Sequence, residues 1–277
     1  MQPAGSIFLS VAPSGARKTK ADHPMLPVTA AEIAECAAAC LDAGASMIHL
    51  HVRGADGRHS LDTGRYREAM QLIRRAVGDG LVIQVTSESV GLYRPREQIE
   101  MVKGLRPEAV SVAVRELFSG DVPEQELAAF LAWCHDERIV IQFILYDDAD
   151  VMAYLALRRR GIIPEPRHWV LLVLGRYTGG QSSVRDLIPI HSAWRAEPGL
   201  TDNISWAVCA FGQRECECAI ASAALGGHAR IGFENNLLLP DGRVARDNAE
   251  LAGSFAAVAH LLGYRLSTAH DMRALLS

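Results

Sequence analysis

Short runs dense in Val, Ile and Leu alternate along the chain with longer segments in which apolar residues return every three or four positions. The short runs fall at 7–11, 47–52, 81–86, 109–114, 139–145, 169–174, 204–209 and 229–233, and their near-continuous apolar character predicts strands buried on both faces. The first helical segment opens at Thr29, which with Glu32 forms a capping box ahead of Ile33, Cys36, Ala37, Cys40 and Leu41, and Gly44 ends it. Further helices are expected at 65–76, 95–103, 123–135, 149–160, 183–194, 213–225 and 243–262. Eight strands, each followed by a helix, with no linker or low-complexity stretch, predict a (β/α)8 TIM barrel forming one domain over residues 1–277; a doubly wound sheet usually has fewer strands. In such a barrel, chemistry belongs where strands end and βα loops begin.

Composition narrows the function classes. At 277 residues, 49% hydrophobic and 22% charged, the chain is neither disordered nor collagen-like. Lys and Arg number 28 against 32 Asp and Glu, a net charge of −4 that is too slight a bias for a nucleic-acid surface. No apolar run approaches the ~18 residues of a membrane span, and 139–145 is broken by Gln142, so no membrane partner is expected. The apolar stretch 7–11 lacks a preceding basic region, and Arg17, Lys18 and Lys20 follow it, which makes it a first strand and not a secretion signal. The six cysteines are scattered through apolar segments, as in a reduced, cytoplasmic protein. Cys36 and Cys40 share the apolar stripe of the first helix and read as buried thiols; Cys216 and Cys218 cannot share a helix face and are unassigned.

The second strand carries the clearest chemistry. Side chains alternate along a strand, so His49, His51 and Arg53 take the face toward the barrel mouth while Ile48, Leu50 and Val52 take the other. Two imidazoles about 7 Å apart at Cα can converge on one metal ion; the alternative is a pair of hydrogen-bonded core histidines. On the eighth strand Arg230 and Glu234 share the inner face, with Gly232 leaving room between them. Glu234 can complete a His2Glu set with an open fourth position, the catalytic arrangement for zinc, or it can pair with Arg230; the two are compatible. An arginine deep in a barrel needs an anion, which Glu234 or a bound carboxylate supplies.

These residues carry a resemblance. His49–Arg53 after Ala43-Gly44-Ala45, Leu26-Pro27-Val28-Thr29, Arg106-Pro107-Glu108, Val173-Leu174-Gly175 with Gly179-Gly180, and the run Gly226 to Asn236 together resemble the β-keto acid cleavage enzymes, in order and over nearly the whole chain. The resemblance implies a (β/α)8 barrel holding Zn2+ through His49, His51 and Glu234. It also implies reaction of a 3-oxo acid with acetyl-CoA to give acetoacetate and a new acyl-CoA, and it places substrate-binding hydroxyls at Thr86 and Ser111, where strand-end hydroxyls bonded to backbone are the ordinary alternative.

The chain departs from that family's pattern at three places. Members that process amino-substituted substrates carry an acid after the first strand, where this chain has Arg17. The reversal implies an anionic or neutral distal group on the substrate, unless Arg17 only faces solvent. The family acid after the glutamate ligand, a base beside the strand arginine Arg230, is here Asn235, which cannot take a proton. Glu88, standing in place of a family glycine, is the candidate substitute; otherwise the mechanism has diverged or activity is low. Third, Thr86-Ser87-Glu88-Ser89 lacks the usual glycine pair, giving a bulkier, more polar pocket wall.

After the sixth strand, the loop with Arg176, Gly179 and Gly180 offers backbone amides to a CoA phosphate, or is simply a tight turn. The rivals are an amidohydrolase-type metal hydrolase, which needs histidines at later strand ends, and a metal-containing binding protein that has lost catalysis. His135, His168 and His228 precede their strands, and His23, His59, His191, His260 and His270 are expected to be exposed. A homo-oligomer, taken as a tetramer, is expected, with the alanine-rich last helix offering surface.

Overall fold

The structure, a computed structural model, describes residues 5–164, 168–177 and 181–276. Eight strands close a barrel: β1 (Leu9–Val11), β2 (Met47–Leu50), β3 (Val82–Thr86), β4 (Ala109–Ala113), β5 (Val140–Leu145), β6 (His168–Leu174), β7 (Trp206–Ala210) and β8 (His228–Ile231). Each pairs in parallel with its sequence neighbours, and β8 closes on β1 through Ala229–Leu9, Arg230–Ser10 and Ile231–Val11. The outer ring is α1 (Ala30–Asp42), α2 (Thr63–Val77), α3 (Pro95–Leu105), α4 (Glu124–Asp136), α5 (Asp148–Arg159), α6 (Val184–Trp194), α7 (Glu215–Ala224) and α8 (Asn248–Leu261). This is the (β/α)8 barrel that the alternation predicts. The Thr29–Glu32 capping box forms, and Gly44, at φ +100°, turns the chain out of α1.

Strand alternation separates two cores. Ile48, Leu50, Ile83, Val85, Ile141 and Phe143 face the helices. Met47, Val82, Ala109 and Trp169 fill the lower barrel interior, and above them the interior turns polar with His49, Gln84, Ser111, Gln142 and Arg230, all buried. The floor is closed by a helix the periodicity does not announce, α9 (Ala269–Leu276), whose Ala269, Met272 and Leu276 join the lower cluster. Its start is fixed by Thr268, whose hydroxyl accepts from Asp271 N at 3.2 Å. The last barrel helix begins at Asn248, not at 243: residues 237–245 fold as a turn, with Leu239 N donating to Arg243 O at 2.8 Å, before Asp247 caps α8. Among the described residues no helix is long and apolar enough to cross a membrane, and no disulfide joins any of the six cysteines, Cys36 and Cys40 meeting as thiols with their sulfurs 3.9 Å apart.

Two of the histidines expected to be exposed are buried, His23 and His59. His23 bonds Ala245 O at 2.9 Å beneath the Phe233 ring, and His59 returns to the mouth of the barrel. At the other end, His168 meets the Tyr154 hydroxyl at 2.7 Å and His228 accepts from Phe8 N at 3.3 Å. Burial lowers His168 to about 3 and His228 to about 4. The unfolded chain, with imidazoles near 6.5, therefore binds more protons than the fold between pH 6.5 and those values. The stability that these two neutral rings contribute is fully present above about pH 6.5 and is lost as the pH falls toward their folded values. We expect the urea midpoint to drop between pH 7 and pH 5, less steeply in His168→Gln; an equal slope would contradict the assignment.

Candidate metal centre and active-site cavity

His49 is the last inward-facing residue of β2, and His51 follows where the strand has just ended. Their Nε2 atoms lie 3.1 Å apart. Glu234 arrives from the far end of the sequence by a sharp departure from β8. Gly232 sits at φ +134° against β1, where a Cβ would lie 2.4 Å from Ala12 O, so only glycine admits this path. Asn235 N and Asn236 N then donate to Gly232 O, and Glu234 N donates to Ala12 O at 3.0 Å. Glu234 Oε2 ends 3.3 Å from His51 Nε2 and 3.7 Å from His49 Nε2. The three donor atoms fall within 4.8 Å of one another, and the three side chains are buried.

Proton bookkeeping shows what this arrangement accepts. His49 Nδ1 lies 2.7 Å from Gln84 Oε1, an acceptor, while Gln84 Nε2 donates onward to Gln142 Oε1 at 3.1 Å. His49 therefore carries its proton on Nδ1, and its Nε2 presents a lone pair. His59 Nε2 lies 2.9 Å from the Glu88 carbonyl, so that nitrogen is protonated and Nδ1 is an acceptor. His51 Nδ1, 3.4 Å from His59 Nδ1, must be the donor, which leaves His51 Nε2 unprotonated. Two imidazole lone pairs and a carboxylate oxygen thus point at one another, and Glu234 Oε2 accepts no hydrogen bond. Three converging acceptors in a buried site repel unless a cation lies among them, so the residues present fit a divalent ion.

The charges around the triad keep it ready for a cation. Burial, with the Arg230 charge next in weight, lowers His49 to about 3 and keeps it neutral. Burial alone would raise the Glu234 carboxyl, but the Arg230 charge beside it holds it well below the usual range. Arg230 Nη2 donates to Glu234 Oε1 at 2.9 Å and to Asn235 Oδ1 at 3.3 Å. Arg230 thus has the anion it requires and leaves the other carboxylate oxygen available.

Above the triad opens a cavity of about 270 Å³, lined among others by His49, Thr86, Glu88, Ser111, Arg230 and Glu234. Thr86 and Ser111 are register partners on β3 and β4, and Ser111 Oγ donates to Thr86 Oγ1 at 3.3 Å. Glu88 Oε2 is 3.9 Å from His51 Nδ1; burial pushes the Glu88 carboxyl up to about 7 against the pull of His51. Arg17 lines the rim with its guanidinium 4.9 Å above the Tyr177 ring, and among the described residues no carboxylate pairs with it. Arg176 also lines the rim. Gly179 and Gly180 lie outside the described residues. Arg53 does not face the cavity as alternation implies. Beyond Leu50 the chain leaves the barrel, and the Arg53 guanidinium binds the carbonyls of Ala16, Gly15 and Lys18 at 2.7, 2.6 and 3.0 Å, fixing the loop after β1.

The sequence profile of the beta-keto acid cleavage enzymes matches residues 6–277. The chain belongs to that family. It is 28% identical over 276 residues to a 3-keto-5-aminohexanoate cleavage enzyme of Fusobacterium nucleatum subsp. nucleatum, covering 98% of this chain and 97% of the relative. A 3-oxoadipate:acetyl-CoA acetyltransferase of Cupriavidus necator is also 28% identical over 276 residues, covering 97% and 94%. Among solved structures, the ternary complex of ObcA with C4-CoA adduct and oxalate superposes with a TM-score of 0.74 at 16% identity, over 91% of this chain and 67% of that one, a likeness of fold.

For a beta-keto acid cleavage enzyme, the residues that sequence reasoning missed surround the triad. Gln84 and Gln142 are inward-facing polar residues in otherwise apolar strands, a signal visible in the alternation. Glu215, fully buried at the start of α7, accepts from Gly232 N at 3.0 Å and Asn236 Nδ2 at 3.3 Å and so braces the loop that delivers Glu234. Lys18 Nζ reaches Glu234 O at 2.6 Å. Neither had a local signature. The later strand-end histidines of the hydrolase alternative are missing among the described residues: His168 and His228 open β6 and β8, at the opposite end of the barrel.

Proposed function

We propose that this chain, acting as one barrel domain over residues 1–277, converts a 3-oxo acid and acetyl-CoA to acetoacetate and a new acyl-CoA, with Zn2+ held by His49, His51 and Glu234. The observation that supports this most is the convergence of one possible ligand atom from each of the three buried side chains at the cavity floor, within 4.8 Å of one another. When bound, the ion supplies Lewis-acid polarisation of the keto oxygen beside the carbon–carbon bond that breaks.

The chain's own groups do the rest. Thr86 Oγ1, which accepts from Ser111 Oγ, keeps its own proton to donate to the substrate carboxylate, and Ser111 holds that hydroxyl in place. Arg230, held by Glu234 and Asn235, offers a fixed positive charge where negative charge develops. Asn235 takes no proton and serves by orienting that guanidinium. Glu88, facing the cavity, is the base that removes the proton from the carbon between the keto and carboxylate groups. General-base catalysis contributes about 10²–10⁴-fold; Glu88→Gln should lower kcat by at least about 100-fold, and unchanged turnover would remove Glu88 from that role.

Arg17 decides the substrate class. Among the described residues no carboxylate lies within ion-pair distance of this rim guanidinium, whose charge Glu88 feels only at longer range, and this fits a 3-oxo acid whose distal end is anionic or neutral; the Cupriavidus relative is named for 3-oxoadipate, a dicarboxylate. A panel of 3-oxo acids with distal carboxylate, methyl or ammonium groups should show the ammonium compound used least. Arg17→Glu should shift the carboxylate-to-ammonium ratio of kcat/KM by about tenfold or more, the worth of one charge-assisted hydrogen bond. A wild-type preference for the ammonium compound would contradict the reading. Arg176 at the rim supports a CoA phosphate site there. The six free thiols support a cytoplasmic location, and the exposed Leu261 and Leu262 at the end of α8 support self-association, which we take to give a homotetramer.

A further inference from the structure

His59 stands outside the cavity lining and outside the proposed chemistry, yet its ring is buried beside a member of the triad. After His51 the chain makes a two-stranded turn in which Val52–Arg53 pairs antiparallel with His59–Ser60, Arg53 opposite His59. The turn closes through Gly54 N to Arg58 O at 2.8 Å, with Gly57 at φ +76°. This hairpin brings His59 back over the barrel mouth, its ring centroid 5.1 Å from that of His51 and 6.2 Å from that of Tyr93.

We propose that His59 is a positioning residue that sets both the metal-ligand tautomer of His51 and the place of the loop carrying Glu88. One ring does both: Nδ1 accepts from His51 Nδ1 at 3.4 Å, and Nε2 donates to the Glu88 carbonyl at 2.9 Å. The competing partner for the His51 Nδ1 proton is the Glu88 carboxylate, 3.9 Å away. By supplying the nearer acceptor, His59 keeps that carboxylate facing the cavity and keeps the His51 lone pair aimed at Glu234. Without it, the His51 proton has only Glu88 to turn to, and ligand and carboxylate are drawn toward each other. Hydrogen-bond partners of metal-bound histidines act this way by fixing tautomer and ring orientation, and their loss typically weakens metal affinity 10–100-fold. This inference rests on the reading of His49, His51 and Glu234 as a metal site.

Two measurements test it. In the metal-free wild type, two-dimensional 15N–1H correlation spectra of the histidine rings should show His59 protonated at Nε2 and His51 at Nδ1; His59 protonated at Nδ1 would overturn the proposal. Zinc affinity, by competition with a chromophoric chelator, should fall about 10–100-fold in His59→Phe. It should stay within about fivefold of wild type in His59→Gln, whose amide can both accept and donate. His59→Phe binding zinc within threefold of wild type overturns the role of His59 alone, with the metal site intact. Failure of the wild type to bind zinc overturns the metal reading, and this proposal with it.

Discussion

Alanine at His51 is expected to abolish tight zinc binding and to lower turnover about 1000-fold. The substitution leaves His49 and Glu234, two protein donors where a catalytic zinc needs three. Lewis-acid stabilisation of a developing charge is worth several kcal/mol, and each ~1.4 kcal/mol is a factor of ten in rate, which gives the size of the loss. The fold should survive, because His51 lies past the end of β2 and its removal leaves no buried ion without a partner. Metal content after dialysis, read alongside kcat on the best 3-oxo acid, checks both halves. Zinc retained at wild-type affinity by His51→Ala would contradict the assignment, as would metal loss with unchanged turnover.

Arg230→Met is expected to be the most destabilising single change at the site. Arg230 and Glu234 are both nearly inaccessible and share a 2.9 Å contact. Removing the guanidinium strands a buried carboxylate, at a cost of about 3–5 kcal/mol. The same carboxylate belongs to the triad, so zinc should restore much of that loss by replacing one positive charge with another and by binding only the folded chain. Urea unfolding with and without zinc should therefore show a larger metal-induced gain in Arg230→Met than in wild type. An equal gain in the two proteins would show that Glu234 does not meet the ion.

The barrel and the triad were legible in the sequence for the same reason: period-two alternation assigns each strand residue to the helix side or the interior, and closure then brings strand ends together. Alternation placed His49 inward beside Gln84 and Ser111, and closure of β8 on β1 delivered Glu234 to it. The reasoning failed where a strand stopped before its pattern did. His51 and Arg53 read as a continuation of β2, yet the chain leaves the barrel after Leu50, and Arg53 serves the loop after β1. The Asp56-Gly57 pair is a hairpin signal that could have returned His59 to the site, but a lone histidine in a polar loop is ordinarily exposed. Glu215 was illegible for a different reason: its partners are the backbone amide of Gly232 and the side-chain amide of Asn236 in a distant loop, and no spacing encodes them. The floor helix α9 was missed because its eight residues are too few to show a period.

Zinc-edge X-ray absorption of the protein loaded with one equivalent of zinc tests the central claim most directly. The account predicts two imidazole nitrogens at about 2.0–2.1 Å and carboxylate oxygen at about 2.0–2.2 Å, with the imidazole signal halved in His49→Ala. A first shell containing sulfur at about 2.3 Å, or one unchanged by loss of His49, would contradict it.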